Sequence, residues 1–266
     1  MVAHLKNNPR LRLNRPVKVI LFVIFVFPSS LFATSIIATR SPSGFMIATD
    51  GKVVYRGAGI KGTETVCKIY RSGGLYFAVA GMPADRNRNY YPAQLASRNY
   101  KDTDSFEANI GRIERSISTA ILDEMRRLRT EDPDQFMRNQ DGGTLEIVFA
   151  RIASGVPELA GRGFKYVDGD NPRIEISRVT CPGDCPNGTY VVFAGHQQEM
   201  KKVTDSVFEH PESPIAPAEF GHMAIESEIN ASKGEVGPPI TILIVTAQGV
   251  DWPSNKVGCP VVEPAQ

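Results

Sequence analysis

The sequence predicts an α+β chain in which two sheets carry helices on their outer faces. Three observations predict it. Short apolar runs bounded by Gly, Pro and Asp fill the first third of the chain after residue 33. One long stretch of helical period follows, with apolar residues at Phe106, Ile110, Ile113, Ile117 and Ile121. Strand-like runs then return, followed by helical segments and a last apolar strand. Segregated runs of this kind argue for α+β, not for alternating units around a parallel sheet. The 266 residues suit one large domain or two small ones, with no clear linker, internal repeat or low-complexity block.

Residues 1–33 stand apart. They hold Lys6, Arg10, Arg12, Arg15 and Lys18 and no acidic side chain, then the apolar run Val19 to Phe27, then Pro28-Ser29-Ser30 and Leu31-Phe32-Ala33. A basic start, a short apolar run and a small residue at the end make a secretory signal. Nine apolar residues are too few to cross a bilayer, which takes about 20. Cleavage after Ala33 would leave Thr34 as the new N-terminus. Leu31 fits a small-x-small site poorly, so cleavage after Ser30 and retention as an anchor extended through Ile36 and Ile37 stay open. The remainder, residues 34–266, reads as one domain.

In that remainder, Thr34–Thr39 and Phe45–Thr49 read as two buried strands joined by the turn Ser41-Pro-Ser-Gly44. A Gly-rich connection, Gly57 to Gly62, leads to a strand at Val66–Tyr70, and Ser72-Gly-Gly74 turns into another at Leu75–Ala80. The helix begins at Asp104, with Glu107 three residues later as in a capping box, and runs to about Leu128. Thr130–Gly143 is polar and reads as a loop or a frayed helix end. Strands follow at Thr144–Ile152, Gly163–Val167, Arg173–Ser177 and Tyr190–Ala194, then helices near Glu199–Phe208 and Pro217–Ser232, then a strand at Ile240–Thr246. The tail after Trp252 reads as irregular.

Charge and cysteines narrow the functional classes. Taking the five basic residues of the signal from the total of 30 leaves 25 against 29 acidic, a net charge of −4 with His neutral. A mildly acidic body gives no support for nucleic-acid binding. Cys67, Cys181, Cys185 and Cys259 are an even number in an exported chain, which favours disulfides. Cys181 and Cys185 could close on each other, leaving Cys67 with Cys259; other pairings stay open. One C-x3-C pair with few histidines falls short of the four ligands of structural zinc, so neither a metal nor a cofactor is expected.

Thr34, Asp50, Lys68 and Gly81 carry the chemistry. A threonine hydroxyl needs a base, and a free α-amine on the same residue, with a reference pKa near 8, can serve. A lysine ammonium nearby would keep that amine neutral by repulsion, an aspartate would hold the lysine, and a backbone N–H at a strand-ending glycine could stabilise an oxyanion. Each residue alone has an ordinary explanation in packing, a turn, solvation or a bend. Their order and spacing count only through the resemblance that they carry.

The segments Thr34-Ser-Ile-Ile-Ala-Thr, Gly44-Phe-Met-Ile-Ala-Thr-Asp50, Cys67-Lys68-Ile-Tyr and Ala78-Val-Ala-Gly81-Met resemble the proteasome β-subunit family of N-terminal-nucleophile hydrolases. The resemblance is specific over residues 34–82 and loose beyond. It implies a four-layer αββα sandwich of the N-terminal-nucleophile hydrolase type, with Thr34 as nucleophile, Asp50 and Lys68 as its electrostatic support, Gly81 as oxyanion donor and Val79 in the substrate pocket. Two departures stand out. After the strand Tyr190–Ala194, His196 occupies the turn where the resemblance implies a serine. Before the last strand, Lys233-Gly-Glu235-Val-Gly-Pro-Pro lacks the implied Asp and Ser, with Glu235 as a candidate stand-in.

The expected function is an exported threonine-type peptidase or amidohydrolase, secreted or periplasmic, acting on a peptide or small amide. The alternative is a non-catalytic structural or binding protein on the same fold. The resemblance implies a candidate homo-oligomer. Nucleic acid is not an expected partner, and the membrane is one only through an uncleaved signal.

Overall fold

A strand buried on both faces needs apolar residues at almost every position, and the near-continuous apolar runs of this chain have that cause. The computed structural model describes residues 34–57, 60–82, 91–141, 144–185, 188–209, 215–254 and 259. The expected signal segment 1–33 lies outside the described residues. The chain is a mixed α/β protein with antiparallel sheets.

The elements in chain order begin with β1 (Ser35–Ser41) and β2 (Gly44–Asp50), the expected hairpin, closed by the Ser41–Gly44 pair. The Gly-rich connection is a two-stranded ribbon instead, β3 (Lys52–Gly57) with β4 (Ile60–Thr65). β5 (Ile69–Ser72) starts later than the apolar run does, which leaves Lys68 just ahead of the strand. β6 (Leu75–Gly81) pairs with it. α1 (Pro92–Arg98) is short and is not announced by any periodicity.

α2 (Phe106–Glu131) starts one step later than the capping reading of Asp104. Ser105 is the cap, its Oγ accepting from the Ala108 N–H at 3.2 Å. Asp104 instead pairs with Arg112 at 2.8 Å. The polar stretch expected as a loop or a frayed helix end forms α3 (Pro133–Asp141). Asp132 accepts the Gln135 N–H at 3.0 Å and Pro133 opens the helix, a cap and a first-turn proline that outweigh the polar composition.

β7 (Leu145–Ala153), β8 (Val156–Val167), β9 (Arg173–Cys181) and β10 (Tyr190–Gly195) follow, β8 and β9 longer than their apolar cores suggest. α4 (Gln198–Glu209) and α5 (Pro217–Ala231) lead to β11 (Ile240–Thr246) and β12 (Gly249–Ser254). β12 replaces the first part of the expected irregular tail.

Among the described residues, one sheet has the order β10-β1-β2-β11-β12 and the other β5-β6-β7-β8-β9. Alternation divides their side chains among three apolar clusters. Ile36, Ala38, Phe45 and Ile47 meet Ala78, Val148 and Ala150 between the sheets. Ile37, Met46 and Ala48 face Phe220, Ala224 and Ile225 of α5. Phe77, Ile147 and Phe149 face Ile110, Ile113, Ile117 and Ile121 of α2. Each of these isoleucines is fully buried, a contribution of about 1.5–3 kcal/mol apiece.

Two disulfides join Cys67 to Cys259 and Cys181 to Cys185. No described helix is long and apolar enough to cross a membrane. The Cys67–Cys259 link spans 192 positions and the other only 4, so the first removes far more unfolded-chain entropy. Replacing Cys67 and Cys259 by alanine is expected to lower the unfolding free energy by about 2–5 kcal/mol, and more than the same change at Cys181 and Cys185. Denaturant midpoints of the two double variants check this; an equal or reversed order would contradict it.

Candidate active site

The end of β2 meets the start of β5 at a buried ion pair. The Lys68 Nζ lies 2.8 Å from Asp50 Oδ1 and donates a second hydrogen bond, at 2.9 Å, to Thr34 Oγ1. Asp50 is fully buried and Lys68 nearly so. A carboxylate in such a place needs many donors, and Asp50 has them. Oδ1 also accepts the Ser35 N–H at 2.9 Å, while Oδ2 accepts the Lys52 N–H at 3.2 Å and the Gly237 N–H at 3.3 Å. Burial pushes the Lys68 pKa down, and the Asp50 charge and hydrogen bond resist that shift.

The main chain of Thr34 is held from the other side. The turn after β10 brings the His196 N–H to the Thr34 carbonyl at 2.8 Å. Gly195, paired with Ser35 in the β1–β10 register, makes this approach possible. Its φ is +76°, and a Cβ there would overlap the Thr34 carbonyl and crowd the Ala80 side chain. The end of β6 is thereby packed beside the same turn.

Gly81 closes β6 with φ +117°. The Met82 N–H is spent on the Thr144 carbonyl at 2.8 Å, so strand alternation turns the Gly81 N–H to the β5 edge. The β5–β6 ladder starts only at the Ile69–Ala78 pair. One step further in that register, Lys68 falls beside Val79. Val79 is partly buried against the α2-facing cluster.

His196 and Glu235 come together, with the imidazole Nε2 3.4 Å from Glu235 Oε2. That separation lies outside hydrogen-bond geometry, and Nε2 is a buried atom without a hydrogen bond. Both residues flank the site, His196 through its main chain and Glu235 through the segment whose Gly237 N–H binds Asp50. Among the described residues no group of three His, Cys, Asp or Glu side chains could hold a metal.

Four contributors were not evident from residue type. Ser35 and Gly237 act through backbone N–H groups, and Gly195 through the absence of a side chain. Glu146 is the fourth. Its Oε2 accepts the Gly195 N–H at 2.5 Å, and burial raises its pKa to about 7 against the opposing pull of that hydrogen bond and of Lys201. One signal was available: a lone carboxylate in Leu145-Glu-Ile-Val-Phe-Ala150, a run with both faces buried, must have a partner.

No family model matches the chain, and neither does any curated protein. Among solved structures, the Anbu complex of Pseudomonas aeruginosa, described as a helical assembly, is similar at a TM-score of 0.53 and 15% identity, covering 84% of this chain and 86% of that one. Anbu, an ancestral β-subunit, from Yersinia bercovieri gives 0.51 and 14%, covering 84% and 88%. At these identities the likeness is one of fold. It corrects the resemblance drawn from residues 34–82. The fold is that of Anbu proteins, which are proteasome-like but a distinct family, and membership of the proteasome β-subunit family itself finds no match.

Two outcomes are expected. Asp50→Ala leaves the Lys68 ammonium buried without its partner and should cost about 3–5 kcal/mol in a denaturant titration. Glu146 has a folded pKa above its ordinary value of 4.5, so its contribution to stability is full below pH 4.5 and is lost as pH rises to about 7. Unfolding free energies measured from pH 4 to 8 should show up to about 3 kcal/mol of this loss in the native protein and not in Glu146→Gln. The same slope in both proteins would refute it.

Proposed function

We propose that the chain is an exported hydrolase that cleaves a peptide or other amide bond with Thr34 as an N-terminal nucleophile. The observation that carries this reading is the position of the Lys68 ammonium, bonded at once to Asp50 and to the Thr34 hydroxyl in a buried site. The packing of helices against the outer faces of two apposed sheets supports the four-layer αββα sandwich of N-terminal-nucleophile hydrolases. Domain limits of 1–33 for the signal and 34–266 for the hydrolase belong to the same reading.

Signal cleavage after Ala33 frees the Thr34 amine. Thr34 Oγ attacks the amide carbon, and its proton passes to the amine, directly or through a water. The Gly81 N–H, facing the β5 edge, stabilises the tetrahedral oxyanion. Collapse of that intermediate breaks the C–N bond, and the amine returns the proton to the departing nitrogen. Water, activated by the same amine, then releases the acyl group from Thr34. Lys68, held by Asp50, lowers the cost of alkoxide character on Oγ and keeps the amine neutral. Val79, in line with Lys68 along the β5–β6 register, lines the pocket for the substrate side chain on the acyl side.

His196 and Glu235 are accessory groups that support the turn holding Thr34. The disulfides and the basic, apolar start of the chain support a secreted or periplasmic location. Assembly of identical copies is part of the proposal, prompted by the helical assembly of the Pseudomonas aeruginosa Anbu complex. The histidine at the turn is the feature that favours a non-catalytic protein; the intact Thr34, Lys68 and Asp50 geometry weighs against it.

Intact mass of protein recovered after export is expected to match a chain starting at Thr34. Thr34→Ala should lose short acyl-amide turnover by on the order of a thousandfold or more, together with labelling by a threonine-directed covalent probe. A different N-terminus, or undiminished turnover in the variant, would exclude Thr34 as the nucleophile.

A further inference from the structure

Glu146 has no role in the steps above, yet it touches both sides of the site. On β7, Leu145, Ile147 and Phe149 face the α2 cluster, so alternation points Glu146, with Val148 and Ala150, at the opposite sheet. Its register neighbours are Ala80, next to Gly81, and Gly163. Across the gap, its carboxylate accepts the N–H of Gly195, whose neighbour His196 donates its own N–H to the Thr34 carbonyl. One side chain thus links the strand that ends in the oxyanion donor to the turn that holds the nucleophile.

A buried carboxylate here is costly, and a neutral acceptor would satisfy one N–H at less cost. The chain nevertheless keeps an ionisable group in contact with a cavity. Gly163 has no side chain to cover Glu146, and a cavity of about 220 Å³ opens there, lined also by Lys165, Glu175 and Ser177. Protons and water therefore have a route to the carboxylate. The charged and titratable groups around it are Lys201 from α4, Lys165 from β8, Glu175 from β9 and His196 beyond Gly195.

We propose that Glu146 is a positioning residue for Thr34: its ionised carboxylate draws the Gly195–His196 turn against the Thr34 carbonyl, and proton uptake through the cavity loosens that turn. The proposal rests on the reading of Thr34 as nucleophile. The ionised form is the stronger acceptor, because charge-assisted hydrogen bonds are about twice as strong as neutral ones. With the carboxyl raised to about 7, the change falls in the neutral range.

The test follows the Gly195 backbone amide by two-dimensional NMR from pH 5 to 9, in the mature protein and in Glu146→Gln. The native Gly195 signal should move with a midpoint near 7, and that component should vanish in the variant. The difference between the two proteins is the readout. In parallel, kcat of the variant should fall on the order of tenfold with KM within about twofold, and the part of the pH profile assigned to Glu146 should disappear. A Gly195 amide that does not titrate, or titrates alike in both proteins, overturns the proposal. So does an unchanged kcat and pH profile in the variant, even where the amide behaves as expected. A native protein that fails to label at Thr34 would instead sink the hydrolase reading, whatever the amide does.

Discussion

A lysine ammonium buried between two sheets must be fully satisfied, and most of this site follows from that demand. Lys68 can stay charged only if a carboxylate faces it, and Asp50 can face it only if its own oxygens are filled. The chain meets the demand with donors from four separate segments: the Ser35 N–H at β1, the Lys52 N–H after β2, Lys68 itself before β5, and the Gly237 N–H before β11. Asp50 is therefore as much the architectural centre of the site as an electrostatic helper. Its hydrogen bonds bind the two sheets at the end where Thr34 lies, and the loop carrying Glu235 is folded back by the same carboxylate.

A second centre balances the first. Asp50 governs the hydroxyl of Thr34 through Lys68, whereas Glu146 governs its carbonyl through Gly195. The first is a charged pair with every oxygen used. The second is a single carboxyl beside a cavity, opposite a backbone N–H. The two carboxyls differ in environment, and that difference assigns them different work: Asp50 holds a charge in place, and Glu146 is able to change its own.

The strands that build this site were legible because both their faces are buried. Thr34–Asp50 and Ile240–Thr246 announce themselves as apolar runs, and α2 by its spaced isoleucines. Thr34, Asp50 and Lys68 were legible as a group through the resemblance that their order and spacing carry. What escaped depends on backbone geometry or on distant partners. No pattern of residue types reveals that Gly195 must lack a Cβ because Thr34 lies against it, or that Gly237 turns its N–H toward Asp50. The ribbon β3–β4 escaped because glycine-rich sequence reads as connection, and α3 because its signal is a cap and a proline, not an apolar stripe. The family resemblance misled in a related way: a short conserved-looking core of residue types marks a shared fold more reliably than it marks one branch of it.

The Cys67–Cys259 link has a topological consequence. It closes a covalent ring that contains Lys68 and β5 through β12, while Thr34, Asp50 and β1 to β4 lie outside it. The proposed nucleophile and the supporting aspartate thus belong to a free arm, and the lysine between them belongs to the ring. The site exists only where arm and ring dock. The ring can close only after residue 259 has been synthesised, when the arm that docks against it has long been made.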